Sequence, residues 1–220
     1  MNKFFAFSLL ALPALTGCSS LSVYQSGKTL PKGVMQAGIG VGTMGDPRTV
    51  ADPGDDKFTL SGDTWLRYGF TDNAEAGVKL SIPGAYTADA RYGFLNEDRK
   101  DPLSLAAGVM VARGSSGAGP IDLTLIDCML PVYVSKDIAR WLTVYAVPRY
   151  SLRYVRTTLY GGQPGSDHFG MWGMGGGFMF NVGPAYRTHI AAEYHRLQSL
   201  SRPGYYTENA GIALAFDFDI

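Results

Sequence analysis

Long apolar runs are missing from this 220-residue chain after its opening segment: beyond residue 18, nowhere do 18 or more apolar residues follow one another. That excludes a membrane-spanning helix, which needs about 20. Entry into a bilayer would then require a closed barrel, because only helices and closed barrels satisfy every backbone group in lipid. Cysteine is nearly absent, with Cys18 and Cys128 alone, so no disulfide framework holds the fold. An excess of charge is missing too. Lys and Arg number 19, as do Asp and Glu, and without Lys3 of the opening segment the balance is 18 to 19. Such neutrality argues against a nucleic-acid partner.

What is present begins with an export signal over residues 1–17. Lys3 supplies the positive start, Phe4 to Leu15 an apolar stretch too short for about 30 Å of hydrocarbon, and small residues precede Cys18. Leu15-Thr16-Gly17-Cys18 resembles the bacterial lipobox. The resemblance implies cleavage before Cys18 and acylation of that residue, each buried CH₂ contributing about 0.8 kcal/mol of anchoring. The alternative is an ordinary cleavable signal followed by an incidental cysteine. Ser19 after the cysteine is similar to the outer-membrane sorting context of proteobacterial lipoproteins. With Cys18 given to lipid, Cys128 has no disulfide partner in the chain.

The stretch GKTLPKGVMQAGIGVG, residues 27–42, resembles the entry of outer-membrane barrel lipoproteins, where a short tether ends in Leu-Pro-Lys-Gly before the first strand. Pro31 stiffens the approach, Lys32 suits lipid headgroups and Gly33 lets the chain turn into the wall. The expected division is a signal over 1–17, a lipidated tether over 18–32 and one β-barrel over 33–220.

Glycine (28), tyrosine (13) and phenylalanine (11) are abundant, a composition that favours strands and tight turns. Apolar residues recur with period two. In NAEAGVKLSI one face is Ala74, Ala76, Val78, Leu80 and Ile82, the other Glu75, Gly77, Lys79 and Ser81. AYTADARYGF and YTENAGIALAFDF divide the same way, with Glu208 alone breaking the apolar face of the last. Carried along the chain, this parity predicts about ten strands, near 33–42, 58–69, 73–82, 86–95, 103–112, 123–135, 141–156, 169–182, 186–197 and 205–219. Eight and twelve strands are the alternatives. The fold class is all-β, a single up-and-down antiparallel transmembrane barrel behind a lipidated tether. Long outer loops are expected near 43–57, 113–122 and 157–168, short inner turns near 70–72, 136–140 and 183–185, and a local bulge where Pro131 and Pro148 meet. Rings gather toward both ends of the apolar face: Tyr86, Tyr150, Tyr154, Trp172 and Tyr206 at one, Tyr68, Tyr92, Phe94, Phe180, Phe216 and Phe218 at the other. A soluble periplasmic lipocalin-like lipoprotein, with the apolar face inside, is the alternative architecture.

The opposite parity lines the lumen with Asp63, Arg67, Glu75, Lys79, Asp89, Arg91, Arg149, Arg153, Arg187, His189, Glu193 and His195. Both signs occur at similar depths, which predicts ion pairs across a narrow lumen: either a polar path for a small solute or, more simply, a plug of mutually satisfied side chains. Glycines share this face on the first and eighth strands, leaving room for bulky neighbours. The spacing of His189, Glu193 and His195 suits metal ligands but equally follows from interior polar residues recurring every second position, and no third ligand stands out. Ser166, Asp167 and His168 raise the alternative of an enzyme acting on lipid or peptide at the outer rim, although adjacent residues do not by themselves form a relay. Omptin proteases also have ten strands, but no motif here carries over their catalytic residues. The expected function is an outer-membrane lipoprotein with a structural or narrow-pore role, anchored on the periplasmic side. Its expected partners are membrane lipids, with no nucleic acid, no cofactor and no identifiable protein partner.

Overall fold

The computed structural model describes residues 23–45, 59–82, 84–118, 121–159, 165–200 and 206–220. They form ten strands: β1 (Met35–Gly45), β2 (Thr59–Thr71), β3 (Ala74–Ile82), β4 (Ala85–Leu95), β5 (Ser104–Ala118), β6 (Ile121–Ala139), β7 (Leu142–Leu159), β8 (Gly165–Asn181), β9 (Tyr186–Ser199) and β10 (Tyr206–Asp219). Each is antiparallel to its chain neighbours, and β1 pairs with β10 from Gln36 opposite Asp219 to Gly45 opposite Ala210. The sheet therefore closes on itself and leaves no edge to be satisfied. Ile220 N donates to Met35 O at 2.7 Å, sealing the seam at the end where β1 begins and β10 finishes, the terminal end of the barrel.

Parity decides which way each side chain points. On β3, Glu75, Lys79 and Ser81 are buried while Leu80, Ile82 and Val78, the last 55% exposed, face outward. The rule holds around the wall, where Ile39, Leu66, Val111, Leu152 and Ile212 are exposed. An apolar exterior around a charged interior is the reverse of a lipocalin-like barrel. Exposed rings cluster at both ends: Tyr68, Tyr92, Phe94, Phe216 and Phe218 near the termini, and Tyr86, Tyr150, Trp172 and Tyr206 at the opposite end.

Two expectations need correction. The loops predicted at 113–122 and 157–168 are largely ladder: β5 and β6 stay paired out to Ala118 opposite Ile121, and β7 and β8 to Thr157 opposite Gly165. Period two in hydropathy arises only where one face meets an apolar medium, so these polar, glycine-rich extensions read as loops although backbone pairing continues. Ser166, Asp167 and His168 accordingly lie on β8. No bulge forms at Pro131 and Pro148 either. Pairing lapses around Val132 and Tyr133 and resumes in the same register, from Pro131 opposite Arg149 to Val134 opposite Ala146; the register shift comes later, between Asp137 and Ala139. The connection at 96–102 contains a short 3-10 helix, Glu97–Arg99, capped by the Asn96 side chain, which accepts from Asp98 N. Most of the loop predicted at 43–57, like the signal and Cys18, lies outside the described residues.

Candidate functional site

Residues 23–30, expected to form a tether beneath the barrel, run up inside it. Gly33, at φ 83°, makes the turn that lets an inward strap become an outward-facing wall, and its N–H donates to Gly69 O at 2.8 Å. From there toward the N-terminus the strap is fastened at every level. Leu30 N donates to Glu75 Oε2 at 2.5 Å near the terminal end of β3. Arg91 forks, Nη1 to Ser26 O and Nη2 to Lys28 O, both at 2.6 Å. Gly27 N donates to Ser135 Oγ at 3.0 Å, and a Cβ on Gly27 would overlap the Ser104 carbonyl, so only glycine fits there. With its amide oxygen turned toward the guanidinium, Gln25 accepts from Arg67 Nε at 2.5 Å and Nη2 at 2.6 Å. Tyr24 stacks on Trp65 with centroids 5.1 Å apart and donates to Asp63 Oδ2 at 3.1 Å. Val23 N donates to Glu193 Oε1 at 2.8 Å, at the middle of β9.

The described strap is thus a plug from the terminal mouth to mid-depth. Glycines on the wall make its seat: a Cβ on Gly38 would collide with the Trp65 ring on which Tyr24 stacks, and one on Gly40 would press on Tyr24 itself. At the mouth Lys28 Nζ bridges Asp98 at 2.9 Å and Asp137 at 2.7 Å. Burial lowers the Lys28 pKa, but the two carboxylates outweigh it and leave the pKa raised. Beside the strap a cavity of about 490 Å³ opens at the same end, reaching Arg187, His189 and Asp217.

The predicted lumen charges pair along the wall, because the strap occupies the centre. Arg67 donates to Glu75 at 2.5 Å and reaches over Gly77 to Asp89, two strands away. Arg91 Nε lies 2.8 Å from Glu75 Oε1. Arg149 on β7 spans Gly175 of β8 to meet Glu193 at 2.8 Å and His195 at 2.7 Å on β9. Arg153 grips Asp127 with two bonds, of 2.7 and 2.8 Å. Arg187 binds Asp217 at 2.6 Å and also reaches Asp219, while His189 Nε2 lies 2.5 Å from Asp217 Oδ2. Lys79 is buried beside Asp89 against the inner end of the strap. Buried charges are tolerable only when paired in this way.

His189 is therefore engaged by Asp217, and Glu193 and His195 by Arg149. Among the described residues no three His, Cys, Asp or Glu side chains gather as metal ligands. At the opposite rim Asp167 accepts from His168 N at 2.8 Å, and the His168 ring lies 5.1 Å from Tyr154. Strand alternation puts Ser166 and His168 on one face and Asp167 on the other, so the three do not converge. Sequence reasoning passed over Asp127 and Asp217, whose inward parity marks them as partners for Arg153, Arg187 and His189. It also passed over the strap. The one signal there was glycine and small residues on the inner face of β1, the space that Tyr24 fills.

No family model matches the chain, and no curated protein matches it by sequence. Among solved structures it is similar to the attachment invasion locus protein Ail of Yersinia pestis, at 15% identity over 86% of this chain and 99% of that one, TM-score 0.41. Neisserial surface protein A matches at 12% identity over 85% and 96%, TM-score 0.46. The outer membrane protease OmpT of Escherichia coli matches at 10% identity over 89% and 100%, TM-score 0.49.

Proposed function

We propose that this protein is a lipoprotein of the bacterial outer membrane, acylated at Cys18, that spans the bilayer as a ten-stranded barrel and keeps its own lumen shut. The terminal end faces the periplasm. Its role is structural, with a narrow polar path only when the strap leaves. The observation that carries this reading is the seat of residues 23–30, held by main-chain bonds to Glu75 and Glu193 and by the Arg91 fork. Hydrogen bonds to charged groups contribute about 1.5–3 kcal/mol each, which offsets the entropy of ordering the strap. An enzyme at the outer rim is disfavoured by the divergence of Ser166, Asp167 and His168. Planar-bilayer recording tests the reading: the unmutated protein is expected to show no stable open level of porin size, and Gly27→Val, which drives a side chain into the Ser104 carbonyl, to show discrete small openings. Large, steady conductance from the unmutated protein would make it a standing pore.

A further inference from the structure

Charge on the outward face of the wall is confined to one sector. Among the described side chains, no charged residue stands on the outward parity of β1 to β4. On β5 to β10 that parity carries Arg113, Arg156, Arg196 and Glu208 toward the end opposite the termini, and Lys136 at the terminal end, where Glu97 takes it at 2.7 Å. A cation on a lipid-facing wall is tolerated only where polar headgroups reach it. Three arginines against one glutamate therefore suit an anionic headgroup.

Register sets their heights. Arg113 lies directly opposite Tyr86, and Arg196 directly opposite Trp172, two exposed rings of the outer girdle. Both guanidinium groups thus stand where acyl chains give way to headgroups. Arg196 is held by its face: its Cζ lies 4.3 Å over the centre of the Tyr206 ring, while Glu208 Oε1 is 4.0 Å from Nη1, too far for a hydrogen bond. Stacking of that kind leaves the edge of N–H groups, which is the part that takes a phosphate bidentately. Arg113 has Tyr86 on one side and Ile126 on the other, with no acid opposite it. Arg156, between Thr124 and Ser166, lies six residues beyond Tyr150 on β7, about 15 Å higher along a tilted strand.

The two heights distinguish the ligand. A phosphatidyl headgroup brings one phosphate, at the level of the girdle. Arginines at the girdle and well above it match a lipid whose headgroup is a sugar chain phosphorylated more than once. We propose that the outer end of β4 to β10 docks phosphorylated glycolipids, with phosphates at the base of the headgroup on Arg113 and Arg196 and one further out on Arg156. The proposal rests on the membrane-spanning reading, with this end in the cell-surface leaflet.

The test uses the full chain folded in a neutral detergent, with retained lipid read by native mass spectrometry and the barrel by heat-modifiable gel mobility. The probes are a rough lipopolysaccharide phosphorylated on lipid A and core, the same molecule dephosphorylated, lipid A alone, phosphatidylglycerol and inorganic phosphate. The phosphorylated form is expected to be retained about 30-fold better than the dephosphorylated one, each of two arginines near an anionic headgroup contributing a factor of about five. Arg113→Gln with Arg196→Gln should remove that preference, and Arg156→Gln should remove only what the phosphorylated core adds over lipid A. Equal retention of the two forms by the unmutated barrel overturns the inference even where a variant fails to fold, and an undiminished preference in a folded double variant overturns the site. Phosphatidylglycerol held as tightly would overturn the glycolipid, and displacement by inorganic phosphate the lipid source. A chain that forms no heat-modifiable barrel refutes the membrane-spanning reading itself, whereas a folded barrel without lipid preference refutes this inference alone.

Discussion

An arginine at Val78 separates a wall that faces lipid from one that faces water. Val78 is the middle residue of β3, 55% exposed, between Leu66 and Ala88 on the neighbouring strands. At the midplane of a bilayer a lipid-facing arginine on a barrel costs about 2–4 kcal/mol, falling to about 0–1 near the interface. The folding constant should therefore fall about 30- to 700-fold, since 1.4 kcal/mol is a factor of about ten. With a urea dependence of about 2 kcal/mol per molar, the midpoint should move down by about 1–2 M. Ile82→Arg, at the far end of the same strand and on the same face, should move it by less than about 0.5 M. The assay is reversible refolding into vesicles, followed by tryptophan fluorescence and heat-modifiable gel mobility. In a water-soluble barrel both positions would be ordinary surface sites, within about 0.5 kcal/mol of neutral. Equal, small shifts at the two positions would refute the membrane assignment, and a larger shift at Ile82 would refute the depth order.

Arg149→Met leaves Glu193 buried without its guanidinium and should destabilise the barrel by about 3–5 kcal/mol, while adding Glu193→Gln should restore part of the loss. Urea titration of the single and double variants checks this, and a double variant no better than the single would mean that the pair is not the unit. Thr87→Val removes a buried hydroxyl on the lumen face, whose oxygen finds no hydrogen-bond partner among the described residues, and should be neutral or slightly stabilising in the same titration. Epitopes inserted after Gly119 and after Gln163, between the paired ends of β5–β6 and β7–β8, should bind antibody on intact cells, and one after Lys100, at φ 71° beside the 3-10 helix, should not. Binding at Lys100 on unpermeabilised cells would invert the barrel.

Most of the wall was legible in the sequence because a barrel wall is a local object. Once one face must be apolar and the other polar, the parity of Val78 against Lys79, or of Ile212 against Asp217, assigns each side chain before any partner is known. Up-and-down topology then follows from short connections. The same locality set the errors. Outside the apolar belt nothing enforces period two, so the extensions of β5 to β8 read as loops. The prolines read as a bulge because pairing on both sides held the register, which neither proline announces.

The lumen was legible only in its inventory. Parity supplied Arg67, Glu75, Asp89, Arg149 and Glu193 as inward-facing charges, but which acid each base meets depends on stagger around the closed sheet and on the gaps that Gly77 and Gly175 leave between strands two apart. Residues 23–30 carry no period, and the Leu-Pro-Lys-Gly resemblance that starts at Leu30 marks an entry to the wall, not a plug. Their place was decided by a tertiary vacancy: ten strands enclose more space than their own side chains fill, and the nearest chain able to bring backbone N–H groups to Glu75 and Glu193, and carbonyls to Arg91, is the segment that enters at Gly33.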